Sequence, residues 1–239
     1  MLKHDATQAD HFDVVAGEYE ASIPAHVMAH LTRRRVELVR SFAASGRVLD
    51  VGCGTGTLLD AMPDGYEKFG VDVSAQMLER ARERGLQVQV ASADELPFED
   101  GSFDVVMTFA VLHHLVEREK VRRAIAEMCR VTAPGGAVVI WDHNPLNPYW
   151  PLLMARLPQD RGDERLVPAR IMLDGVRAAG MQDVRLNRWT FMPDFTPRRA
   201  LRRVASLERV LERVPGLRLI AAHNVVTARR PPARRPPRA

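Results

Sequence analysis

Short apolar runs recur through the middle of the chain, and each is followed by glycine or an acid and then by a longer amphipathic stretch. These runs predict buried β-strands, because they are rich in β-branched and aromatic residues. Apolar positions at helical spacing predict helices between them, for example over residues 74–84, where Ser74 suits an N-cap. Strands alternating with helices predict an α/β fold: an open, mostly parallel sheet with helices on both faces. The predicted strands of the central part are residues 48–51, 69–74, 88–98, 103–110 and 137–141.

The turn after the first of these strands carries three glycines, in the order Asp50-Val51-Gly52-Cys53-Gly54-Thr55-Gly56. This pattern predicts a strand, a tight turn and the first turn of a helix. Glycine is needed where a ligand lies against bare backbone, because a Cβ would collide with it. The dinucleotide fingerprint requires G-x-G-x-x-G, and here Thr57 stands at its third glycine position. The spacing therefore disfavours a nicotinamide-dependent dehydrogenase.

Acids end the next two predicted strands. Asp72 lies eighteen residues beyond Gly54, where a βαβ unit brings the end of its second strand beside the first loop. A carboxylate there can accept hydrogen bonds from both hydroxyls of a ribose. In the third element, residues 88–98, the alternating part stops at Asp94, before Pro97. Both acids are expected at the carboxyl edge of the sheet, where ligands bind in open α/β folds.

Three further motifs follow in order: Ala93-Asp94-Glu95-Leu96-Pro97-Phe98, Asp100-Gly101-Ser102-Phe103-Asp104-Val105-Val106 and Leu112-His113-His114-Leu115. With the glycine loop they resemble the class I methyltransferases that use S-adenosylmethionine (SAM), within the group that includes quinone-type and sterol-type C-methyltransferases. The resemblance is close over residues 45–145. It implies a Rossmann-like, seven-stranded, mostly parallel sheet with an antiparallel last strand. It also implies SAM as cofactor and S-adenosylhomocysteine as product.

The resemblance also assigns roles to single residues. Asp94 would accept from the adenine amino group, and the backbone near Ala93 and Glu95 would contact the ring. An N-terminal Phe-Asp…Tyr lead resembles the family's, which makes Tyr19 a candidate to close over SAM, with ordinary core packing as the alternative. The expected cofactor-binding residues are Tyr19, Asp50, Gly52, Cys53, Gly54, Gly56, Asp72, Val73, Met77, Ala93, Asp94, Glu95, Phe109 and Ala110.

A hydroxyl acceptor needs a base to take its proton, and histidine suits that role near neutral pH. His113, His114 and His143 stand at predicted strand ends, and we favour His114 and His143 as catalytic candidates. A structural, hydrogen-bonded histidine is the alternative for each. We predict no metal site, because no cysteine–histidine cluster has ligand spacing.

The length predicts one domain over residues 1–228. Its expected parts are an N-terminal helical cap (1–45), the SAM-binding core (46–144), a substrate-side loop and helical insertion (145–222) and a last strand (223–228). In the cap, Arg33, Arg34 and Arg35 are expected to be solvated. In the insertion, residues 197–214 predict an amphipathic helix with one apolar and one arginine-rich face. The apolar stripe comprises Leu201, Val204, Leu207, Val210, Leu211 and Val214.

The formal net charge of +4 depends on the last eleven residues, which contain five arginines and no acid, so the rest of the chain carries −1. A near-neutral domain argues against a nucleic-acid face. Residues 229–239 are expected to form a disordered arginine–proline tail, with a contact to anionic lipid or RNA as the sharper alternative. No apolar run reaches the ~20 residues of a membrane span, and peripheral membrane contact stays open. The cytoplasm is the expected location.

These observations favour a SAM-dependent methyltransferase acting on a small-molecule acceptor, possible acceptors including a lipid or a secondary metabolite. One alternative keeps the fold and the SAM site but has non-methylating chemistry or a non-catalytic partner role. Another is methylation of RNA or protein. The acceptor, the choice among O-, N- and C-methylation and the oligomeric state are open from the sequence.

Overall fold

The computed structural model describes residues 3–16, 23–150, 154 and 164–233. Tyr19 and the last six residues of the predicted tail lie outside the described residues. Within the described part, no helix is both long and apolar enough to cross a membrane.

The described residues form a seven-stranded sheet with the strand order β3-β2-β1-β4-β5-β7-β6. Strand β7 is antiparallel to both of its neighbours, and the other paired strands are parallel. The predicted fold class is therefore confirmed. The strands are β1 (Gly46–Val51), β2 (Tyr66–Asp72), β3 (Gln87–Val90), β4 (Phe103–Phe109), β5 (Thr132–His143), β6 (Gln182–Trp189) and β7 (His223–Arg229).

Two boundaries differ from the sequence-based expectation. Strand β5 begins at Thr132, five residues before the predicted start, and runs through the Pro-Gly-Gly segment. Strand β7 extends to Arg229, and the Arg230 guanidinium donates to the carbonyl oxygens of Arg130 and Thr132. The first two residues of the predicted tail therefore belong to the folded domain.

Helices cover both faces of this sheet. Helix α4 begins where the sequence predicts it, because the Ser74 side chain caps it by accepting from the Met77 backbone N–H at 3.1 Å. Short 3₁₀ turns occupy Leu112–Leu115, Arg198–Ala200 and Leu217–Ile220. The helices are α1 (Lys3–Val15), α2 (Ala25–Arg40), α3 (Thr57–Asp60), α4 (Ala75–Glu83), α5 (Arg118–Val131), α6 (Ala169–Ala178) and α7 (Leu201–Leu211).

The core has two layers, one on each face of the sheet. Alternation along the central strands divides them: Leu49 and Val106 point into the layer under α5 and α6, whereas Val48 and Val105 point into the layer under α2 and α3. Both layers continue across β5, which contributes fully buried Trp141 to the second. The carboxyl ends of β1, β2 and β4 thereby reach one edge of a rigid sheet.

Helix α7 corrects the predicted amphipathic stripe. Leu201, Val204 and the neighbouring Ala205 pack on a small cluster of Val27, Leu31 and Met192, as the spacing predicts. Leu207 and Val210, from the same predicted stripe, are instead 56 % exposed. The helix turns Glu208 inward in their place, leaving it 1 % exposed.

Glu208 is buried because α2 supplies its partners. Its carboxylate contacts His30 Nε2 at 2.8 Å and Arg34 at 2.9 Å, and it accepts the backbone N–H groups of Phe191 and Met192. Arg34 also forms a two-pronged pair with Glu212. The expectation that the three consecutive arginines of α2 are solvated is therefore wrong for Arg34, whose side chain is 16 % exposed.

Candidate active site

The glycine loop connects β1 to α3 and is fastened to β2. The backbone N–H groups of Gly52 and Cys53 both donate to the Val71 carbonyl, at 2.8 and 2.9 Å. All three glycines have positive φ, but they differ in what a side chain would meet. A Cβ on Gly52 would lie 2.3 Å from Val111, and one on Gly56 would lie 2.3 Å from Leu86, whereas a Cβ on Gly54 meets nothing within 4 Å. Two of the glycines therefore serve turn geometry and packing, and Gly54 alone faces open space.

Asp72 ties the end of β2 to this loop. One carboxylate oxygen accepts the Gly54 N–H at 2.8 Å, and the other accepts the Ser74 N–H at 3.0 Å. Burial raises the pKa of Asp72, and these backbone hydrogen bonds oppose the rise. Each carboxylate oxygen retains acceptor capacity for a further donor.

A cavity opens at this edge of the sheet, between the glycine loop and α1. Eight of the predicted cofactor-binding residues line it together. Helix α1 covers it with Gln8 and Phe12, and the side-chain amide of Gln8 donates to the His114 carbonyl. Gln8 lies far from every motif in the sequence, so motif spacing gave no signal for it. The eight residues are Gly52, Gly54, Asp72, Val73, Met77, Ala93, Phe109 and Ala110.

A second pocket lies on the other side of the loop, against α2. Gly52, Gly54 and Phe109 line both spaces, so the pocket continues the cavity past Gly54. Asp50 and Cys53 face this second pocket. Burial raises the pKa of the Cys53 thiol, which therefore stays protonated at neutral pH.

Asp50 and Arg35 both line the second pocket. Burial raises the pKa of Asp50 to about 7; the positive charge of Arg35 opposes the rise, and the Asp72 carboxylate adds to it. The Arg35 guanidinium lies 5.1 Å from the ring centre of Phe109 and 5.8 Å from that of Trp141. The predicted solvated role is therefore wrong for Arg35 too, since its partners come from β4 and β5, more than seventy residues away.

Asp94 and Glu95 lie beside the cavity rather than in its lining. The Asp94 carboxylate accepts from Arg123 at 2.8 Å and from the Ser92 hydroxyl at 2.5 Å; although burial opposes it, these bonds hold its pKa below the usual value. The Glu95 N–H donates to the Ser92 carbonyl at 3.1 Å. That N–H is thus engaged within the turn, and Ala93 is the residue of this motif that reaches the cavity.

Both histidine candidates belong to one stack of aromatic rings at the ends of β4 and β5. The ring of His113 lies 4.0 Å from His114 and 4.2 Å from His143, and His143 stacks on Trp150 at 3.7 Å. His114 stands at the cavity end of the stack, where the edge of Phe12 meets it at 5.1 Å. His143 stands inside the stack, 8 % exposed, and is not part of the cavity lining.

Asp142 fixes this stack from below. Its carboxylate contacts His113 Nδ1 at 2.7 Å and accepts the N–H groups of Leu112 and His143. Although burial opposes it, the contact with His113 holds the pKa of Asp142 below its usual value. Burial, together with the neighbouring charge of His113, lowers the pKa of His114 to about 4 and that of His143 well below its usual value.

The same residues could in principle hold a metal ion. The ligating atoms of His113, Asp142 and His143 all lie within 4.8 Å of one another. The two imidazoles, however, are stacked at an interplanar angle of 28°, so their in-plane nitrogen lone pairs do not converge on one point. With the carboxylate already accepting three contacts, the arrangement fits a hydrogen-bonded cluster better than a metal centre.

A third, aromatic pocket lies at the far end of the ring stack. Trp150 and His223 border it on the stack side, and the Trp150 indole donates to the Ala222 carbonyl at 2.6 Å. This pocket opens beside the loop after β5, where the sequence predicts the substrate side. Its remaining lining includes Leu31, Tyr149, Phe191, Met192 and Phe195.

The central part of the chain matches a known domain family. Residues 49–140 match the methyltransferase domain family. This part of the chain is similar to methyltransferase domains, and the sheet around it has the fold of a solved methyltransferase structure. The matched residues include the glycine loop, Asp72 and the ring-stack residues up to His114, so most of the lining of the cavity described above lies within the matched domain.

Two kinds of curated relatives share the methyltransferase domain. A probable tRNA methyltransferase 9B of Mus musculus is 42 % identical over 94 residues, which is 39 % of this chain and 21 % of that protein. A demethylmenaquinone methyltransferase of Renibacterium salmoninarum is 35 % identical over 158 residues, which is 62 % of this chain and 65 % of that protein. The chain thus spans only about a fifth of the first relative and just under two thirds of the second.

Solved structures extend the likeness beyond the domain core. A SAM-dependent methyltransferase of Thermotoga maritima, described as a possible histamine N-methyltransferase, superposes with a TM-score of 0.68 over 93 % of this chain and 99 % of that one, at 20 % identity. The [4+2]-cyclase SpnF superposes with a TM-score of 0.57 over 84 % of this chain and 81 % of that one, at 26 % identity. The methyltransferase fold therefore extends over most of the chain.

Proposed function

We propose that the chain transfers the methyl group of SAM to a small-molecule acceptor by in-line displacement, with S-adenosylhomocysteine as product. The cavity carries this proposal: eight residues expected to contact SAM converge there from four strand ends and α4. When bound, SAM supplies a methyl group that its sulfonium makes electrophilic. The protein then has to bind SAM and the acceptor, align them and exclude water.

The residues present fit the parts of this cofactor. Asp72 offers carboxylate oxygens to ribose hydroxyls, and the open face of Gly54 admits a ligand against bare backbone. Met77 and Ala93 supply apolar walls for an adenine ring. Past Gly54, Asp50 and Arg35 offer opposite charges to the ammonium and carboxylate of an amino-acid tail.

A small acceptor is favoured by the charge of the chain and by the comparison with relatives. Residues 1–228 carry a formal charge of −1, whereas nucleic-acid-binding domains are usually basic. The demethylmenaquinone methyltransferase is also matched over 65 % of its own length, whereas the probable tRNA methyltransferase is matched over 21 %.

His114 is the candidate to accept a proton from the acceptor. It is the histidine of the stack that lines the cavity, and with a pKa of about 4 it is neutral and able to accept at pH 7. We propose that His113 and Asp142 position it, because the stack holds its ring plane. His143, buried inside the stack, then has a structural role.

Methylation of tRNA is the second candidate. The highest identity among the relatives compared above is to a probable tRNA methyltransferase, but only over 94 residues within the shared domain. Non-methylating chemistry is the third, since the [4+2]-cyclase SpnF shares the fold. Each candidate predicts a different destination for the methyl group.

The test follows a labelled methyl group from SAM into separated lipid, small-molecule, RNA and protein fractions of a cell extract. We expect label in the lipid or small-molecule fraction with wild type and none with Asp72→Asn. Asp64→Asn, an exposed acid outside the cavity, is the matched control and should behave as wild type. Label in RNA would establish the second candidate, and SAM binding by calorimetry with no label anywhere would favour the third.

The role of His114 has its own test. His114→Asn should lower kcat by about a hundredfold or more while leaving the Kd for SAM within about threefold. Equal losses in kcat and in SAM affinity would mean that His114 only supports the cavity. In wild type, the acid limb of the kcat–pH profile should lie near 4, because the base works when deprotonated and its pKa is about 4.

A further inference from the structure

Residues 201–220 present an outer surface that the cofactor chemistry does not use. In this outer face, α7 and the following turn expose six large apolar side chains on one continuous segment of chain. Leu207 and Val210 are 56 % exposed, and the other four are 40–45 % exposed. The six are Leu207, Val210, Val214, Leu217, Leu219 and Ile220.

The apolar side chains lie together on the helix. Leu207 and Val210 follow at the i, i+3 spacing that places residues on one side of a helix, and Val214 lies in the turn just after the helix ends at Leu211. Leu219 and Ile220 continue from there in the 3₁₀ turn. Since Pro215 and Gly216 are exposed as well, every residue from 213 to 220 faces outward.

This face is held in place rather than left loose. The side-chain amide of Asn144 donates to the Leu219 and Ala221 carbonyls at 2.9 and 2.8 Å, and that of Asn147 donates to the Ile220 carbonyl at 2.6 Å. Between these two asparagines, Leu146 is 59 % exposed and adds a seventh apolar side chain. The hydrogen bonds therefore fix the backbone while the side chains point out.

Charge on this segment is of one sign. All seven arginines between residues 198 and 220 are exposed. The two acids of the same segment, Glu208 and Glu212, are turned inward and paired with His30 and Arg34. Arg209 and Arg213 are four residues apart, beside the exposed apolar row. Their long side chains can keep the guanidinium groups in water when the apolar neighbours are covered. The outer face therefore exposes apolar and cationic side chains, while both of its acidic side chains point inward.

We propose that residues 201–220 dock the protein on a bilayer containing anionic lipid. A stripe of leucine, isoleucine and valine beside arginines is the composition of helices that lie in a membrane interface. The basic charge is attracted to anionic headgroups, and the apolar row enters the acyl boundary. RNA would use the arginines but gains nothing from six exposed aliphatic side chains, which favours the bilayer.

Co-sedimentation of the full chain with vesicles tests this assignment. Vesicles of phosphatidylcholine with phosphatidylglycerol should bind the protein, and vesicles of phosphatidylcholine alone should bind it far more weakly. Binding should fall as NaCl rises, because interfacial attraction of exposed charges is screened. Failure to bind the anionic vesicles overturns the proposal.

Two double variants locate the surface. Arg209→Glu with Arg213→Glu should weaken vesicle binding on the order of thirtyfold, at about fivefold per arginine lost. The matched control is Arg82→Glu with Arg122→Glu, which changes the same charge at exposed sites on α4 and α5 and should bind within about threefold of wild type. Equal losses in both pairs would mean that net charge alone drives binding, against the proposal.

The apolar row has a separate test. Leu207→Ser with Val210→Ser should weaken binding about tenfold or more, whereas Val14→Ser, on an 82 % exposed valine of α1, should not. Circular dichroism melts verify folding, and Arg209→Lys with Arg213→Lys should retain binding if charge is what matters. Tighter binding to RNA than to vesicles, or a change in oligomeric state caused by the serine variant, would assign the surface to RNA or to a second copy and overturn the proposal.

Discussion

The glycine loop and the contact between α2 and α7 solve the problem of buried polar groups in two different ways. In the loop, backbone N–H groups donate to acceptors that are near in sequence, as those of Gly54 and Ser74 do to the Asp72 carboxylate. Between the two helices, side chains satisfy one another across 178 residues of sequence, as Arg34 and Glu212 do. The first arrangement follows from a local motif, and the second exists only once the chain is folded. The loop is therefore expected to govern ligand binding, and the helix contact is expected to govern stability.

The largest effect should come from the helix contact. Glu208→Ala leaves His30 and Arg34 without their shared carboxylate and two backbone N–H groups without an acceptor, which should cost about 3–5 kcal/mol of unfolding free energy. Urea unfolding monitored by circular dichroism measures it. Glu83→Ala, an exposed acid on α4, is the control and should change little.

The same variant carries a pH signature. Although burial opposes it, the bonds from His30 and Arg34 lower the pKa of Glu208, so its contribution is present above the ordinary value of 4.5 and is lost as pH falls through the folded-state pKa. The difference between wild type and Glu208→Ala should therefore shrink on acidification. A difference that stays constant below pH 4.5 would mean that packing, not charge, holds α7.

Within the loop, two glycine substitutions should separate stability from binding. Gly52→Ala should cost about 2–4 kcal/mol, because positive φ is strained for alanine and its Cβ would collide with Val111. Gly54→Ala meets no neighbour and should cost only about 1–2 kcal/mol, yet weaken SAM binding at least about tenfold. Thermal melts and calorimetric titration of SAM measure both. Normal SAM affinity in Gly54→Ala would show that the ligand does not cross its open face.

Asp50 gives a smaller, pH-dependent effect at the junction of loop and α2. With a pKa of about 7 it is partly protonated in the free protein, and a bound ammonium group would favour its charged form. The Kd for SAM should therefore tighten about tenfold between pH 6 and 8 as the carboxyl ionises. Asp50→Asn should bind more weakly and with a flat profile. A wild-type profile that is equally flat would remove Asp50 from the cofactor-binding set.

The smallest effect is expected at the surface, where Arg123 pairs with Asp94. Exposed ion pairs contribute little, so Arg123→Ala should leave the melting temperature unchanged within error and the Kd for SAM within about threefold. A larger loss of SAM affinity would mean that Arg123 positions Asp94 for the adenine amino group. The matched control is Arg122→Ala, one residue earlier on α5.

The sequence predicts best what local chemistry determines. The Ser74 cap and the end of β1 at Val51 depend on residues within a few positions of one another, and the predicted ends of β2 and β4 lie within two residues of the observed ends at Asp72 and Phe109. Hydrophobic periodicity predicts less where a polar residue finds a distant partner. The apolar spacing of α7 predicts Leu207 and Val210 inside, yet Glu208 is inside because Arg34 and His30 meet it there.

The histidines of the candidate site show the same difference between local motifs and distant partners. The Leu-His-His-Leu motif places two histidines at a strand end, but the spacing does not say which faces the cavity. Asp142 settles their order by holding His113, which leaves His114 at the cavity wall. That pairing joins β5 to the turn after β4, so only the folded sheet brings it about.

Helix α1 affects how a ligand can enter and leave the cavity. Its Asp13 carboxylate accepts from the Ser74 hydroxyl and the Gln76 N–H, and its Gln8 amide reaches the His114 carbonyl across the cavity. The helix is thus fastened at both sides of the space that holds the nucleoside part of the cofactor in our proposal. Exchange of spent for fresh cofactor on this side requires those bonds to break. In the proposed function, release of S-adenosylhomocysteine on this side therefore requires α1 to move.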